Sequence, residues 1–319
     1  MRILAIGEPL VEFTARPDAP STFDRRLGGD TLNTAIYLAR LMGPGAVGYL
    51  TGLGDDAMSR WLIAEAEAEE VGMAPVVLRP GGRPGGRPGL SFISTDAAGE
   101  RSFLYWREHA PFRSLFCDAG QAPLAALEQA GTLFLSAITL AVLHEEGRAR
   151  LIEALARRRK AGARIVFDTN YRPALWPDAK TAGRVIAQAA GIATLVLPST
   201  DDMAACFGTA APAEAMALLM RLTEAEIVLT TGGAAVLRRA AGETEVQTHA
   251  LPPAVAARDT TGAGDSFNAA YLAARLAGLA PQPAILAAAR LAAVVVQHPG
   301  AIIPRHAMPG DLPGLRVAS

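Results

Sequence analysis

Short, continuously apolar runs alternate along the chain with longer stretches rich in alanine and leucine. Strands are predicted at 2–6, 46–51, 132–136, 164–168, 193–197 and 226–230, and helices at 31–42, 58–71, 145–161, 179–190 and 213–222. A strand that is apolar at every position offers no face to water, so it belongs in a sheet covered on both sides. Helix-length connections are what parallel strands require. The pattern predicts an α/β fold: one domain over 1–319, with a mostly parallel central sheet sandwiched by helices.

Two segments break this rhythm where a helix is expected. Residues 8–27 are strand-like and polar, and 90–106 alternate as a hairpin does, turning around 96–99. They predict a small β-lid beside the sheet, built from about 8–27 and 88–108. The tandem GGRPGGRPG at 81–89 reads as a flexible loop, the alternative being phosphate binding by Arg83 or Arg87. GPGAVG at 43–48 matches the dinucleotide pattern G-x-G-x-x-G, but a helix precedes it and a strand follows. The fingerprint needs the opposite order, and the match is rejected.

Composition narrows the setting. Half the residues are apolar, and 30 Lys and Arg balance 31 Asp and Glu, for a formal net charge of −1. Such a balance leaves no footprint for nucleic acid or an anionic membrane and points to small-molecule partners. Cys117 and Cys206 stand far apart without metal or disulfide spacing. The opening MRILAIGEPL is too short an apolar run for a signal peptide, and no stretch has 18 uninterrupted apolar residues. A cytoplasmic protein, with no membrane and no nucleic acid among its partners, is expected.

The most specific string is DTTGAGD at 259–265, followed by a helical pattern. Gly262, Ala263 and Gly264 then lie at a helix mouth, where backbone N–H groups lack partners and the dipole adds positive charge. That is an anion hole suited to a phosphoryl group, and Asp265 stands within reach of an attacking hydroxyl. Asp265 as an ordinary N-cap is the plainer alternative. The whole string would arise by chance at about one start position in a hundred million. An aspartate with an ordinary pKa of about 3.9 would take the proton late.

DTTGAGD with SFNAAYLAA resembles the C-terminal signature of the ribokinase-like, or PfkB, carbohydrate kinases. GGDTLN at 28–33, running into TAIYLARLMG, resembles their N-terminal signature. GEPLVEF (7–13), FLYWR (103–107), FDTNYRPALW (167–176) and GAIIPR (300–305) are similar to the branch that phosphorylates 2-keto-3-deoxygluconate. The resemblance spans about residues 2 to 308.

It implies a ribokinase-like fold with a β-lid, ATP and Mg²⁺ as cofactors, Asp265 as catalytic base, and assembly as a homo-oligomer. It implies sugar contacts from Gly29, Asp30 and Asn33, the alternative there being a glycine turn with Asp30 or Thr31 capping the helix. A sugar acid needs cations for its carboxylate, which the planar fork of arginine suits. Arg107 and Arg172 match the family's substrate arginines, with Tyr105 contributing its hydroxyl. The alternatives are an exposed hairpin charge for Arg107 and a loop residue paired with a nearby acid for Arg172. Thr231 and Gly232 match nucleotide contacts, or else form a plain turn.

Two positions depart from the family pattern. Its Asn-x-x-Glu, which helps organise magnesium, stands here as Ser199-Thr200-Asp201-Asp202, leaving Asp202 a metal role through water. Ser91 replaces a tyrosine. Three functions are weighed: a 2-keto-3-deoxygluconate kinase, a fructokinase or other neutral-sugar kinase, and a nucleotide-binding regulatory protein without catalysis. The retained Asp265 and intact glycine loop count against the last.

Overall fold

The apolar runs become strands buried on both faces. The computed structural model describes residues 2–16, 18–73, 76–79, 86–95, 101–118 and 120–312. In chain order the strands are β1 (Ile3–Ile6), β2 (Leu10–Arg16), β3 (Ala19–Gly28), β4 (Val47–Leu50), β5 (Gly52–Gly54), β6 (Val77–Arg79) and β7 (Gly89–Thr95). They continue with β8 (Arg101–Trp106), β9 (Thr132–Ser136), β10 (Arg164–Asp168), β11 (Leu195–Leu197), β12 (Glu226–Thr230), β13 (Ala235–Arg239) and β14 (Val246–Ala250).

An 8-stranded sheet runs β14-β13-β12-β11-β10-β9-β1-β4. Pairing is parallel from β4 through β12 and antiparallel for β13 and β14. The period of two sorts its side chains. Ile3, Ala5, Phe134 and Val166 join a core with helices Asp30–Met42, Ala263–Leu276 and Pro281–Val295. Leu4, Ile6, Leu133, Leu135, Ile165 and Phe167 join another with helices Glu145–Lys160 and Ala179–Ile192. Each strand residue therefore has an apolar layer to enter, which is why these strands need no polar positions. The structure adds the antiparallel edge and helices Thr200–Phe207 and Pro281–Val295 to the elements expected from sequence.

A second, 4-stranded sheet stands at the side, in the order β3-β2-β7-β8. β2 leaves the central sheet directly after β1, through Gly7, Glu8 and Pro9. One face carries the cross-strand row Arg26, Glu12, Ser91 and Tyr105. On the other, Phe92 stacks on Phe13 and meets Phe23 and Trp106 edge to face. The turn expected at 96–99 lies outside the described residues, as does Arg83, while Arg87 is exposed. Among the described residues no single helix is long and apolar enough to cross a membrane.

Candidate active site

The site is assembled at the mouths of two helices. Gly262 is the N-cap of helix Ala263–Leu276, with φ +77°, and a Cβ there would lie 2.6 Å from the carbonyl oxygen of Ala301. Both the left-handed backbone and the close approach demand glycine. Asp259 shapes the loop from below. One of its oxygens accepts from the Thr261 N–H and hydroxyl, and the other accepts from the Gly300 N–H at 2.6 Å. Gly264 and Asp265 fall in the first turn, whose N–H groups have no acceptor within the helix. A Cβ on Gly264 would meet no protein atom within 4 Å, so this side of the loop is open.

Asp265 is the third residue of the helix and is not its cap, which removes the plainer reading of that aspartate. Its Oδ2 accepts from Asn33 Nδ2 at 2.8 Å, and its carbonyl oxygen accepts from the Thr34 hydroxyl. Burial raises its pKa to about 7, with the nearby charge of Asp30 adding to the rise. The Asn33 hydrogen bond and the Arg172 charge oppose that rise. This corrects the expectation of an ordinary acid, because sequence alone does not report desolvation.

Asn33 and Asp30 arrive on helix Asp30–Met42, whose N-cap is Gly29 at φ +111° without any side-chain cap. A Cβ on Gly29 would sit 2.5 Å from the Glu8 carbonyl oxygen, so the glycine lets the helix start against the end of β1. Neither Asp30 nor Thr31 caps it. The Thr31 hydroxyl bonds Tyr49 instead. Asn33 Oδ1 is buried without a partner.

The segment after β10 closes the next side. Asn170 Nδ2 donates to Asp30 at 2.9 Å. Asp168 accepts from the Asn170 N–H and from Asn268 Nδ2, the latter on the same helix as Asp265. Burial, with Asp202, Asp30 and Asp265 close by, holds Asp168 well above the usual carboxylate range. Asp202 uses one oxygen for the Thr169 hydroxyl and the other for the Tyr171 N–H. Its pKa is raised, chiefly by burial. Among the described residues, no group of three or more His, Cys, Asp and Glu could hold a metal ion.

The two arginines differ sharply. Arg107 is 8 % exposed, not a free hairpin charge, and donates through Nε (2.9 Å) and Nη2 to Glu8 Oε2. Glu8 is buried at the end of β1, its Oε1 has no partner, and desolvation lifts its pKa despite the arginine. Arg107 also lies over the Tyr105 ring, 5.6 Å from its centroid. Arg172 has a side chain 56 % exposed, with Nη1 donating to the Tyr171 carbonyl and 3.8 Å from Asp202. Burial raises the Tyr105 hydroxyl, and the charges of both arginines oppose that shift.

Thr231 and Gly232 form the turn from β12 to β13. Gly232 has φ +73°, and the Thr231 hydroxyl pairs with Ala235 across that turn. Ser91 is buried between Glu12 and Tyr105 on the inner row of the side sheet. Sequence reasoning did not single out Glu8, Asp168, Asn170 or Asn268, although each lies inside or beside a string it quoted.

The chain is similar to known proteins over nearly its whole length. Residues 2–308 match the model of the pfkB family of carbohydrate kinases. The 2-dehydro-3-deoxygluconokinase of Escherichia coli is 36% identical over 312 residues, covering 97% of this chain and 99% of that protein. A solved PfkB protein from Polaromonas superposes with a TM-score of 0.79 at 26% identity, over 94% of this chain and 97% of its own. A fructokinase from Xylella fastidiosa, crystallised with bound ATP, has a TM-score of 0.79 at 24% identity, covering 97% of this chain and 95% of its own. The last likeness is one of fold. With its paired glycine turns and a buried aspartate at a helix mouth, the chain belongs to the pfkB family of carbohydrate kinases.

Proposed function

We propose that this chain transfers the γ-phosphoryl group of ATP to the terminal hydroxyl of 2-keto-3-deoxygluconate, giving 2-keto-3-deoxy-6-phosphogluconate and ADP. The observation that carries the reading is Asp265, a buried carboxylate in the first turn of its helix, clamped through one oxygen by Asn33. The substrate hydroxyl oxygen attacks phosphorus, the bond from phosphorus to the ADP oxygen breaks, and the hydroxyl proton passes to Asp265. Asn33 holds Oδ2, leaving Oδ1 to receive it.

Phosphoryl transfer has a loose transition state, so positioning and charge stabilisation dominate. The N–H groups at Gly264 and Asp265 receive the moving phosphoryl, and the open space at Gly264 admits it. Magnesium, when bound, neutralises charge on the phosphates. Its ligands would be mainly phosphate oxygens and water. Gly29, Asp30 and Asn33 contact the sugar, Thr231 and Gly232 the nucleotide, and the side sheet covers the acceptor as a lid.

Arg172 and Arg107, with Tyr105, favour a sugar acid over a neutral sugar. A coupled ADP-release assay over sugar acids and neutral sugars tests the proposal. The acid should be preferred. Preference for fructose would leave a neutral-sugar kinase, and no turnover of any acceptor would leave a binding protein.

The exposed outer face of the lid, with Phe23, Leu104 and Trp106, is assigned to contact with a second copy of the chain. Light scattering on the purified protein reads this directly. ATP as phosphoryl donor, and two cysteines that stand far apart in the sequence, suit a cytoplasmic setting.

A further inference from the structure

We infer that Asp202 is a positioning residue for the acid-binding Arg172, an inference that rests on the sugar-acid reading above. Asp202 is the third residue of helix Thr200–Phe207, which Ser199 caps by accepting the Asp202 N–H at 3.0 Å. An acid at this place ordinarily turns back to the cap or faces water. Asp202 does neither. Its side chain is 12% exposed and reaches back to the loop after β10.

There it holds two points. Oδ2 accepts from the Thr169 hydroxyl at 2.9 Å, and Oδ1 accepts from the Tyr171 N–H at 3.0 Å. Between them, Asn170 is fixed by Asp168 and Asp30. The Tyr171 ring is buried in the core beneath. Every residue from Thr169 to Tyr171 is thereby pinned, and Arg172 is the first whose side chain is mostly exposed. A long, exposed arginine loses rotamer freedom when it grips a carboxylate, and a fixed root reduces that loss.

The distance from Arg172 Nη1 to Asp202 Oδ1 matters as well. At 3.8 Å the carboxylate biases the guanidinium toward the site by charge, yet is too far to hold it in a direct hydrogen bond. The guanidinium spends an Nη1 donor on the Tyr171 carbonyl and keeps Nε and Nη2 for a ligand. Both oxygens of Asp202 bond the loop that carries Arg172, so its effect falls first on the acceptor.

Steady-state kinetics with 2-keto-3-deoxygluconate, ATP and Mg²⁺ each varied decide the matter. Asp202→Ala should raise KM for the acid about 10-fold, the size expected when a network around a charged group loosens. KM for ATP and the magnesium requirement should stay within about twofold. Asp202→Asn should recover most of the loss, because its amide can still accept from Tyr171 N–H and donate to the Thr169 hydroxyl. If Asp202→Ala fails to fold, Thr169→Val, which removes one of the two bonds, should show a smaller rise confined to the acid. A raised magnesium or ATP requirement with an unchanged acid KM would overturn the inference, as would equal losses on all three. Arg172→Ala, run in parallel, separates two failures. If it too leaves the acid KM unchanged, the sugar-acid reading itself falls. If it is acid-selective while the Asp202 and Thr169 variants are not, only the positioning role falls.

Discussion

Asn33 Nδ2 donates to Asp265 Oδ2 across 2.8 Å, joining the first turns of two helices 232 residues apart in the chain. A neutral amide that hydrogen-bonds a carboxylate favours its charged form, and here it works against the burial that lifts Asp265 to about 7. The base is therefore poised near neutrality, where proton transfer is best matched to the reaction.

Asp265→Asn should lower kcat by about 10²- to 10⁴-fold with ATP still bound, as measured by turnover and nucleotide titration. The same variant should change stability in a pH-dependent way. Burial disfavours the charged carboxylate, so the native state of the wild type loses stability as pH rises from about 4 to about 7. The neutral amide escapes that loss. Its Tm should exceed that of the wild type at pH 8 and match it more closely at pH 5. Retention of more than a tenth of turnover would remove Asp265 as the base.

In the free enzyme, kcat/KM should rise with pH through an apparent pKa near 7, since Asp265 must be ionised to accept the proton. Asn33→Ala removes the bond that lowers this pKa. The rising limb should then move to higher pH, with a loss at pH 6.5 larger than at pH 8.5. An unmoved limb would mean that the titrating group is another.

The glycines of the loop should separate by cause. Gly262→Ala forces a side chain into left-handed backbone, at about 1–2 kcal/mol, and into the Ala301 carbonyl besides. It should lower Tm clearly. Gly264 has a helical backbone and open space, so Gly264→Val should fold, as read by circular dichroism. Its activity should nevertheless collapse, because the branched side chain fills the room left for phosphate. Full activity in that folded variant would place the phosphoryl group elsewhere.

The arginines should differ in kind. Arg172→Ala removes an exposed side chain and should leave Tm unchanged. Hydrogen bonds to charged groups contribute about 1.5–3 kcal/mol, so kcat/KM for the acid should fall roughly 10- to 150-fold, and much less for fructose. Arg107→Ala leaves the buried Glu8 without its cation, which costs about 3–5 kcal/mol. It should lower both Tm and the use of the acid, and Glu8→Gln added to it should restore stability but not acid preference. Equal losses on acid and fructose for Arg172→Ala would sink the sugar-acid reading.

Much of this was legible in the residues before any fold was seen. The central strands announce themselves because burial on both faces leaves no polar position to blur the pattern, as in Ile3–Ile6. DTTGAGD marks a helix mouth because Gly262 takes a backbone that other residues avoid. Pairings between distant segments were not legible. Nothing in GEPLVEF says that Glu8 will neutralise Arg107, 99 residues later. Nothing in the Ser199 string says that Asp202 will turn toward Thr169. Such partners are chosen by where the strands end, which is a property of topology. The pKa of Asp265 was misjudged for the same reason, since desolvation is known only once neighbours are placed.

The reach of the Asn33–Asp265 bond bears on how the molecule is made. Tyr37 donates to the Ala301 carbonyl, and Arg40 donates to the Ile303 carbonyl, so helix Asp30–Met42 waits for partners more than 260 residues downstream. Contacts of such separation are slow to close, because the entropy of the intervening loop must be overcome first. During synthesis the sugar-binding turn emerges early and the base emerges late. The first must stay without its partner until nearly all of the described chain has left the ribosome. A nascent chain stalled before residue 259 has neither anion hole nor base, however well its central strands have paired.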